Sequence, residues 1–392
     1  MDGWMDYYLS NYRLQPNFLL VNQGDGSFRD EAAARGNLQG YNWQGYYGHT
    51  IGSAWADIDN DLDFDLLVGN FAHPWGLWYQ DKIMLMRNDG AESEYTFTDI
   101  FASSGIKYCE TVFCPAFADY DNDGWQDVFI SSVYDGRQPF MYHSVGDGAS
   151  FENVNYETGF HGICYNSYGV SWCDYDHDGD LDVAIGNGGL FENTTWHSYN
   201  WAQFVLHGAS ETVNKFAFGS KAFVYCGDRH YLRQVEGGSG AESCQNAATL
   251  HFGLGEAQVI DSLVIDWIGG GEERYYDLAV NTRYEVTEGE GILSAPDELE
   301  HAAAPIEFGL AAVYPNPFNS EVRIDYVLSV AGRVQLKVYD LSGRLVMDLM
   351  DRMDAAGRHS LAWKAEGMPT GVYFLRLEAG EQVATKKIAM VK

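Results

Sequence analysis

Read by its apolar positions, the first half of the chain is a series of short runs separated by polar turns. Three small-and-aromatic runs, Ser53-Ala54-Trp55-Ala56, Pro115-Ala116-Phe117-Ala118 and Val170-Ser171-Trp172-Cys173, each lead into an acidic turn. Each turn gives way to a short apolar run: Leu66-Leu67-Val68, Val128-Phe129-Ile130 and Val183-Ala184-Ile185. Runs this short, bounded by turn residues, predict strands, so each group reads as strand, acidic loop, strand. A second kind of hairpin lies between them. Phe18 to Phe28 brackets a Gly24-Asp25-Gly26 turn, and Ile83 to Gly90 and Phe140 to Gly148 are its relatives. The whole unit recurs about every 60 residues. Four short strands per unit predict the blades of a β-propeller.

The acidic turns carry the chemistry. Asp174, Asp176, Asp178, Asp180 and Asp182 alternate with Tyr175, His177, Gly179 and Leu181. Alternating aspartates on a short loop aim several hard oxygens at one centre, and a glycine at the sixth position lets the chain wrap it. That is the build of a calcium loop, since Ca²⁺ takes six to eight oxygens. The pattern returns at Asp119-Tyr-Asp121-Asn-Asp123-Gly124-Trp-Gln-Asp127 and at Asp57-Ile-Asp59-Asn-Asp61-Leu62-Asp63-Phe-Asp65. A fragment, Asp2-Gly3-Trp4-Met5-Asp6, opens the chain.

These loops and strands resemble the FG-GAP/VCBS repeats, the integrin-type calcium-loop propellers, over residues 1–195. The resemblance implies Ca²⁺ held by the aspartates at positions 1, 3, 5 and 9 and by the carbonyl at position 7. Carried over, the ligands are Asp57, Asp59, Asp61 and Asp65; Asp119, Asp121, Asp123 and Asp127; Asp174, Asp176, Asp178 and Asp182. The first of these loops departs from the pattern at Leu62. A left-handed backbone at a non-glycine residue costs roughly 1–2 kcal/mol, so this loop is expected to bind least well. The remnant at Asp2 lacks its first ligands, and three full loops make few blades for a closed ring. Met1 is therefore expected not to be the biological start, with the propeller, about three and a half blades here, truncated at its N-terminus.

Past Asn193 no further acidic loop occurs. Residues 196–289 alternate apolar strands with Gly-rich turns, which predicts a β-sandwich-like module. Phe218-Gly219-Ser220-Lys221, Glu236-Gly237-Gly238-Ser239-Gly240, Leu250-His251-Phe252-Gly253-Leu254-Gly255, Val264-Ile265-Asp266-Trp267 and Asn281-Thr-Arg-Tyr284 resemble the ASPIC/UnbV domain. Cys244 departs from that pattern, which opens local pairing with Cys226. His251, inside an apolar phrase, reads as a packed core residue. Ser239 lacks the Gly-x-Ser-x-Gly spacing of a nucleophile elbow and reads as part of a turn.

Residues 290–309 read as a linker. From 310 to 392, Tyr314-Pro315-Asn316-Pro317, Tyr339-Asp340-Leu341-Ser342-Gly343-Arg344, Gly371-Val372-Tyr373-Phe374 and a basic end predict an Ig-like sandwich of about seven strands. In order and spacing these phrases resemble the C-terminal sorting domain of the type IX secretion system. That implies the secretion machinery as a partner and a location outside, or on the outer surface of, a Gram-negative cell. The fold class is thus all-β throughout.

Charge sharpens the picture. With 24 Lys+Arg against 56 Asp+Glu the 392-residue chain carries a net charge of −32, all of it ahead of Pro305. Such a field repels phosphates and disfavours nucleic acid, while it suits cations. No apolar run is long enough to span a membrane. Six cysteines, with no C-x-x-C pair, argue against a zinc site and fit an oxidising, extracytoplasmic setting. Tyr41, Trp43, Tyr46, Tyr47 and His49, and His73, Trp75, Trp78 and Tyr79, form aromatic stretches. They suit stacking on sugar rings, anchoring of a protein ligand, or packing between blades. The expected function is that of a secreted or cell-surface calcium-binding propeller protein acting in adhesion or in extracellular binding of a glycan or protein. The alternative is a polysaccharide-degrading enzyme on a calcium-propeller scaffold, although no catalytic motif stands out.

Overall fold

The computed structural model of the chain describes residues 4–12, 14–41, 45–71, 83–107, 112–195, 198–238, 240, 244–294, 308–314, 316, 318–319, 321–328, 330–354, 357–365, 367–380 and 382–391. The remnant at Asp2 and Gly3, Cys109, Ser239, Trp43 and the stretch from His73 to Tyr79 lie outside the described residues. The chain is all-β and divides into two compact units, Met1–Ala295 and Pro296–Lys392. Among the described residues no helix is long and apolar enough to cross a membrane.

The first unit begins with four separate antiparallel sheets in chain order. Strands β1 (Tyr7–Leu9), β2 (Phe18–Asn22) and β3 (Phe28–Asp30) make the first. The second holds β4 (Thr50–Ala56), β5 (Asp65–Asn70), β6 (Met84–Asn88) and β7 (Phe97–Asp99). The third holds β8 (Val112–Ala118), β9 (Asp127–Ser132), β10 (Phe140–Ser144) and β11 (Phe151–Asn153). The fourth holds β12 (Val170–Cys173), β13 (Asp182–Ile185) and β14 (Gly189–Phe191). Each is an up-and-down blade. Strands β5 and β9 are buried at every position because apolar layers cover both faces. In β5 the two-residue period sends Leu66 and Val68 into one cluster with Leu38, Met86 and Phe97. Leu67 goes into the next, with Leu85, Val128, Ile130 and Tyr142. A third cluster joins Phe129 and Met141 to Val170, Trp172 and Val183. Blades therefore pack face to face through shared apolar layers.

A sandwich follows. Its strands are β15 (Asn200–His207), β16 (Lys221–Cys226), β17 (Arg229–Gln234), β18 (Leu250–Gly255), β19 (Val259–Asp266), β20 (Glu272–Ala279), β21 (Thr282–Thr287) and β22 (Gly291–Ser294). One sheet runs β18-β15-β21-β22, with β15 and β21 parallel, and the other β17-β16-β19-β20. Phe204, Phe252, Val224, Ile265, Trp267 and Val286 fill the space between them. Strand β22 falls in the stretch read as linker from 290. It pairs with β21 from Tyr284↔Ser294 to Thr287↔Gly291, so the sandwich continues to Ser294. Described residues of the segment joining β17 to β18 meet the first strands of three blades. Ser53 donates its N–H to the Gly240 carbonyl (2.5 Å), and Ala247 N–H donates to the Trp172 carbonyl (2.9 Å). Between these two anchors Cys244 joins the apolar cluster of Cys114 and Trp172.

The second unit is a seven-stranded sandwich: β23 (Gly309–Tyr314), β24 (Glu321–Leu328), β25 (Gly332–Tyr339), β26 (Leu345–Asp354), β27 (Gly357–Lys364), β28 (Gly371–Ala379) and β29 (Gln382–Met390). Sheets β23-β24-β27 and β26-β25-β28-β29 enclose Val322, Ile324, Leu336, Val338, Leu375 and Ile388. Alternating burial along β25 and β28 matches the apolar alternation of the sequence.

Candidate metal centres

The three acidic loops close the hairpins β4–β5, β8–β9 and β12–β13, where Ala56 pairs with Asp65, Ala118 with Asp127 and Cys173 with Asp182. All three take one conformation. Positions 4 and 6 are left-handed in each: Asn60 and Leu62 at φ 58° and 72°, Asn122 and Gly124 at 61° and 93°, His177 and Gly179 at 61° and 93°. Leu62 thus adopts the backbone that glycine holds elsewhere, with the strain expected of it.

Backbone amides aim the carboxylates. The first aspartate accepts the N–H of position 6 in each loop: Leu62 to Asp57 (3.2 Å), Gly124 to Asp119 (3.0 Å) and Gly179 to Asp174 (3.1 Å). The fifth accepts the N–H of position 7, at 3.0, 2.8 and 3.0 Å. The ninth is a pin between strands. One oxygen takes the N–H of position 2, and the other takes that of Asn88, Ser144 or Asn193 (2.8, 2.8 and 2.7 Å). Each oxygen so engaged keeps a second lone pair.

The outcome is three trios, Asp57/Asp59/Asp61, Asp119/Asp121/Asp123 and Asp174/Asp176/Asp178, whose oxygens lie within 4.8 Å of one another. Asp127 joins a further group with Asp121 and His143, whose Nδ1 is 3.1 Å from Asp127 Oδ1. Asp65 and Asp182 keep their place as strand pins beside their trios. The Oδ1 atoms of Asp59, Asp119, Asp174 and Asp176 are buried without a hydrogen-bond partner. Burial, reinforced by neighbouring carboxylates, pushes Asp59 and Asp123 up to about 6 and Asp57 up to about 7. Burial likewise raises Asp65 to about 9 and holds Asp119 well above the usual carboxylate range. Oxygen-only donors, crowded and partly desolvated, fit a hard divalent cation better than any other occupant.

The loops are also joined to one another. Asn60 Nδ2 donates to the Gly124 carbonyl, and Asn122 Nδ2 donates to the Gly179 carbonyl, each at 3.1 Å. Position 4 of one loop therefore grips position 6 of the next. His177 ends the series and meets Arg283 of the sandwich at 3.3 Å.

The sandwich edge covers the loops. Gln203 Nε2 donates to Asp174 Oδ2 (2.7 Å), Arg229 Nη1 to the Asp123 carbonyl (3.0 Å) and Gly255 N–H to the Asn122 carbonyl (2.9 Å). His251 Nε2 lies 2.6 Å from Asn122 Oδ1. Arg233 faces both Asp119 and Asp57 with its Nη2 buried, and burial pulls its guanidinium below the usual arginine range. The approach is close enough to require glycine. A Cβ on Gly253 would sit 2.1 Å from Asp119 Oδ2, and one on Gly124 would sit 2.9 Å from the Tyr231 hydroxyl. The reading of His251 as a buried residue holds, at 7% exposure, but its ring also reaches the second loop. Gln203 and Arg233 went unmarked in the sequence, and Arg283 stood inside the phrase Asn281-Thr-Arg-Tyr284 with no role assigned. The one available signal was Gly253 inside an apolar strand, which marks a close backbone approach.

Comparison with known proteins matches this layout. A model for the FG-GAP-like repeat matches residues 119–185, one for ASPIC and UnbV matches 210–293, and one for the secretion system C-terminal sorting domain matches 312–391. Cartilage acidic protein 1 of Mus musculus is 28% identical over 274 residues, covering 65% of this chain and 38% of that protein. The Homo sapiens protein of the same name is also 28% identical over 274 residues, covering 65% of this chain and 37% of its own length. The chain thus spans well under half of these relatives. Among solved structures, PorZ, a bacterial surface component of the type-IX secretion system of Porphyromonas gingivalis, covers all of this chain at a TM-score of 0.27 and 9% identity. That superposition is too loose to bear on fold or function. The sorting-domain match marks the chain as one exported to the outer surface of a Gram-negative cell or beyond it. None of the three matched descriptions names a reaction.

Proposed function

We propose that the chain is an exported calcium-stabilised binding protein, in which Ca²⁺ in the three loops rigidifies the blades that present a ligand-binding face. The observation that carries this reading is the set of three aspartate trios in like-folded loops, with buried, unpartnered oxygens. In the bound state Asp57, Asp59 and Asp61, Asp119, Asp121 and Asp123, and Asp174, Asp176 and Asp178 supply carboxylate oxygens, with Asp65, Asp127 and Asp182 setting each loop's base.

The opposite ends of the same strands supply the surface. Six residues of strand separate Thr50 from Ala56, about 20 Å. At that far end the rings of Tyr12 and His49 (5.0 Å), Phe71 and Tyr134 (5.6 Å) and Phe113 and Tyr168 (5.6 Å) pack in pairs, the first two tilted and the last edge to face. Tyr12 and Tyr168 stay 41% and 51% exposed, and Tyr41 and Tyr46 add exposed rings nearby in sequence. Rings wedged between blades and open on one side suit an extracellular glycan or protein. Isothermal titration of the calcium-stripped protein tests the metal, with three sites expected. A glycan array with a reducing-sugar release assay on the same sample tests the ligand; product release in place of retention would favour an enzyme.

A further inference from the structure

Cys114 and Cys244 lie 130 positions apart in the chain, yet their Sγ atoms are 3.0 Å apart, about 1 Å beyond a disulfide bond. Both residues are buried, at 0% and 6% exposure. Their environment holds them together. A Cβ on Gly240 would meet Cys114 Sγ at 2.4 Å, and one on Gly169 would meet Cys244 Sγ at 2.9 Å, so each sulfur occupies space a side chain would otherwise fill. The segment bearing Cys244 is anchored on both sides. Gly240 bonds Ser53 in one blade, and Asn246 Oδ1 accepts the Trp172 N–H (3.0 Å) in another, with Cys114 in the blade between. Cys226, the local partner that the sequence left open, sits in β16 within the sandwich core and joins no such contact with Cys244 among the described residues.

We propose that Cys114 and Cys244 are an oxidation site, joined as a disulfide during export, which staples the sandwich to the first strand of the middle full blade. A chain routed to the outer surface passes through an oxidising compartment. The oxidant is a protein disulfide donor. One cysteine thiolate attacks a donor sulfur and breaks the donor S–S bond. The second thiolate then displaces the donor from the mixed disulfide, forming Cys114–Cys244. Two cysteine S–H bonds are lost, the donor leaves as a dithiol, and the two protons pass to it. Both cysteines are oxidised and the donor is reduced by two electrons.

The test is peptide mapping of the full chain recovered from the medium or surface of a type IX-competent host. The protein is alkylated under denaturing conditions without reductant. The expected result is a linked peptide pair containing Cys114 and Cys244 that disappears on reduction. Reductant should also lower the melting of the first unit by roughly 5 °C or more, given the long loop closed, while Cys114→Ser with Cys244→Ser removes that response. Cys226→Ser should leave the linked pair intact. Recovery of Cys114 and Cys244 as separately alkylated thiols, or of Cys244 linked to Cys226, overturns the proposal. None of these outcomes depends on whether the loops bind calcium.

Discussion

Asp123→Asn separates a metal loop from a merely acidic turn, because it should raise the melt without calcium and remove the further rise that calcium gives. The amide oxygen can keep the bond from Trp125 N–H, so the loop backbone stays in place. What is lost is one charge of the Asp119/Asp121/Asp123 trio, whose oxygens lie within 4.8 Å. At ~1 mM free Ca²⁺ and an assumed dissociation constant of ~0.1 mM, one site stabilises by RT ln 11, about 1.4 kcal/mol. For a unit of this size that is roughly 3–6 °C of melting temperature. In chelator the same substitution removes repulsion from Asp121. Two unit charges at that spacing repel by between about 1 and 3 kcal/mol, depending on how much solvent screens them. Asp123→Asn should therefore melt higher than the parent in chelator and lose the calcium-induced rise that this loop gives the parent. Scanning calorimetry of both proteins, in 1 mM Ca²⁺ and in chelator, reads the calcium-induced shift of each. A parent that melts identically in both conditions refutes the metal reading, and so does a variant that keeps the parent's full calcium shift.

Acidity should act in the same direction as the substitution. Burial lifts Asp57, Asp63 and Asp127 to about 7, so the proton they gain on folding stabilises the calcium-free protein fully below the unfolded range and is lost as pH rises through 7. Calcium-free melting should rise from pH 8 to pH 5 while the calcium-induced shift shrinks, and a calcium shift constant over that range would contradict it. Asn122→Ala cuts the grip on the Gly179 carbonyl and the contact with His251, which should cost about 2–3 kcal/mol and weaken calcium binding in the third loop as well as the second. Titration that finds only the second loop affected would argue against coupling between loops. Gly253→Ala drives a methyl against Asp119 and should destabilise the first unit by about 2–3 kcal/mol in denaturant melts, where a surface glycine such as Gly271 tolerates alanine.

The blades were legible because their signal is local and repeated. A two-residue apolar period, a small-and-aromatic lead-in and an aspartate every second position recur at similar spacing, and each copy reinforces the others. The seven strands of the second unit were legible for the same reason. The cover over the loops was not. Arg233 lies in an ordinary strand, and nothing about Leu232-Arg233-Gln234 shows that its guanidinium is buried against Asp57 and Asp119. His251 was placed correctly as a buried residue, but its partner Asn122 is 129 positions away, beyond the reach of any local pattern. Local proximity misled in one case. Cys226 and Cys244 are near neighbours along the chain, whereas tertiary packing brings Cys244 to Cys114. The strand at Gly291–Ser294 was hidden by its short length and its glycine-rich approach.

The cover also answers a mechanical question that an open run of blades poses. A blade at the end of such a run presents an apolar face and unpaired strand groups, and blades held only by neighbours can splay. Here Gly240, Cys244 and Ala247 touch the first strands of three blades in succession, at Ser53, Cys114 and Trp172. Gln203, Arg229 and His251 hold the second and third loops at the ends of those strands. The sandwich is therefore tied at two levels, along the inner strands and across the acidic loops. Mutual repulsion of the trios would push the loops, and the strands they end, apart, and the apolar layers between blades oppose it. Arg233 offsets part of that repulsion with a fixed charge between the first two loops. A cation in each trio would offset most of the rest, so calcium and the sandwich act on the same set of carboxylates. The sandwich is then a structural part of the blades, and binding at the loops should be felt wherever it touches them.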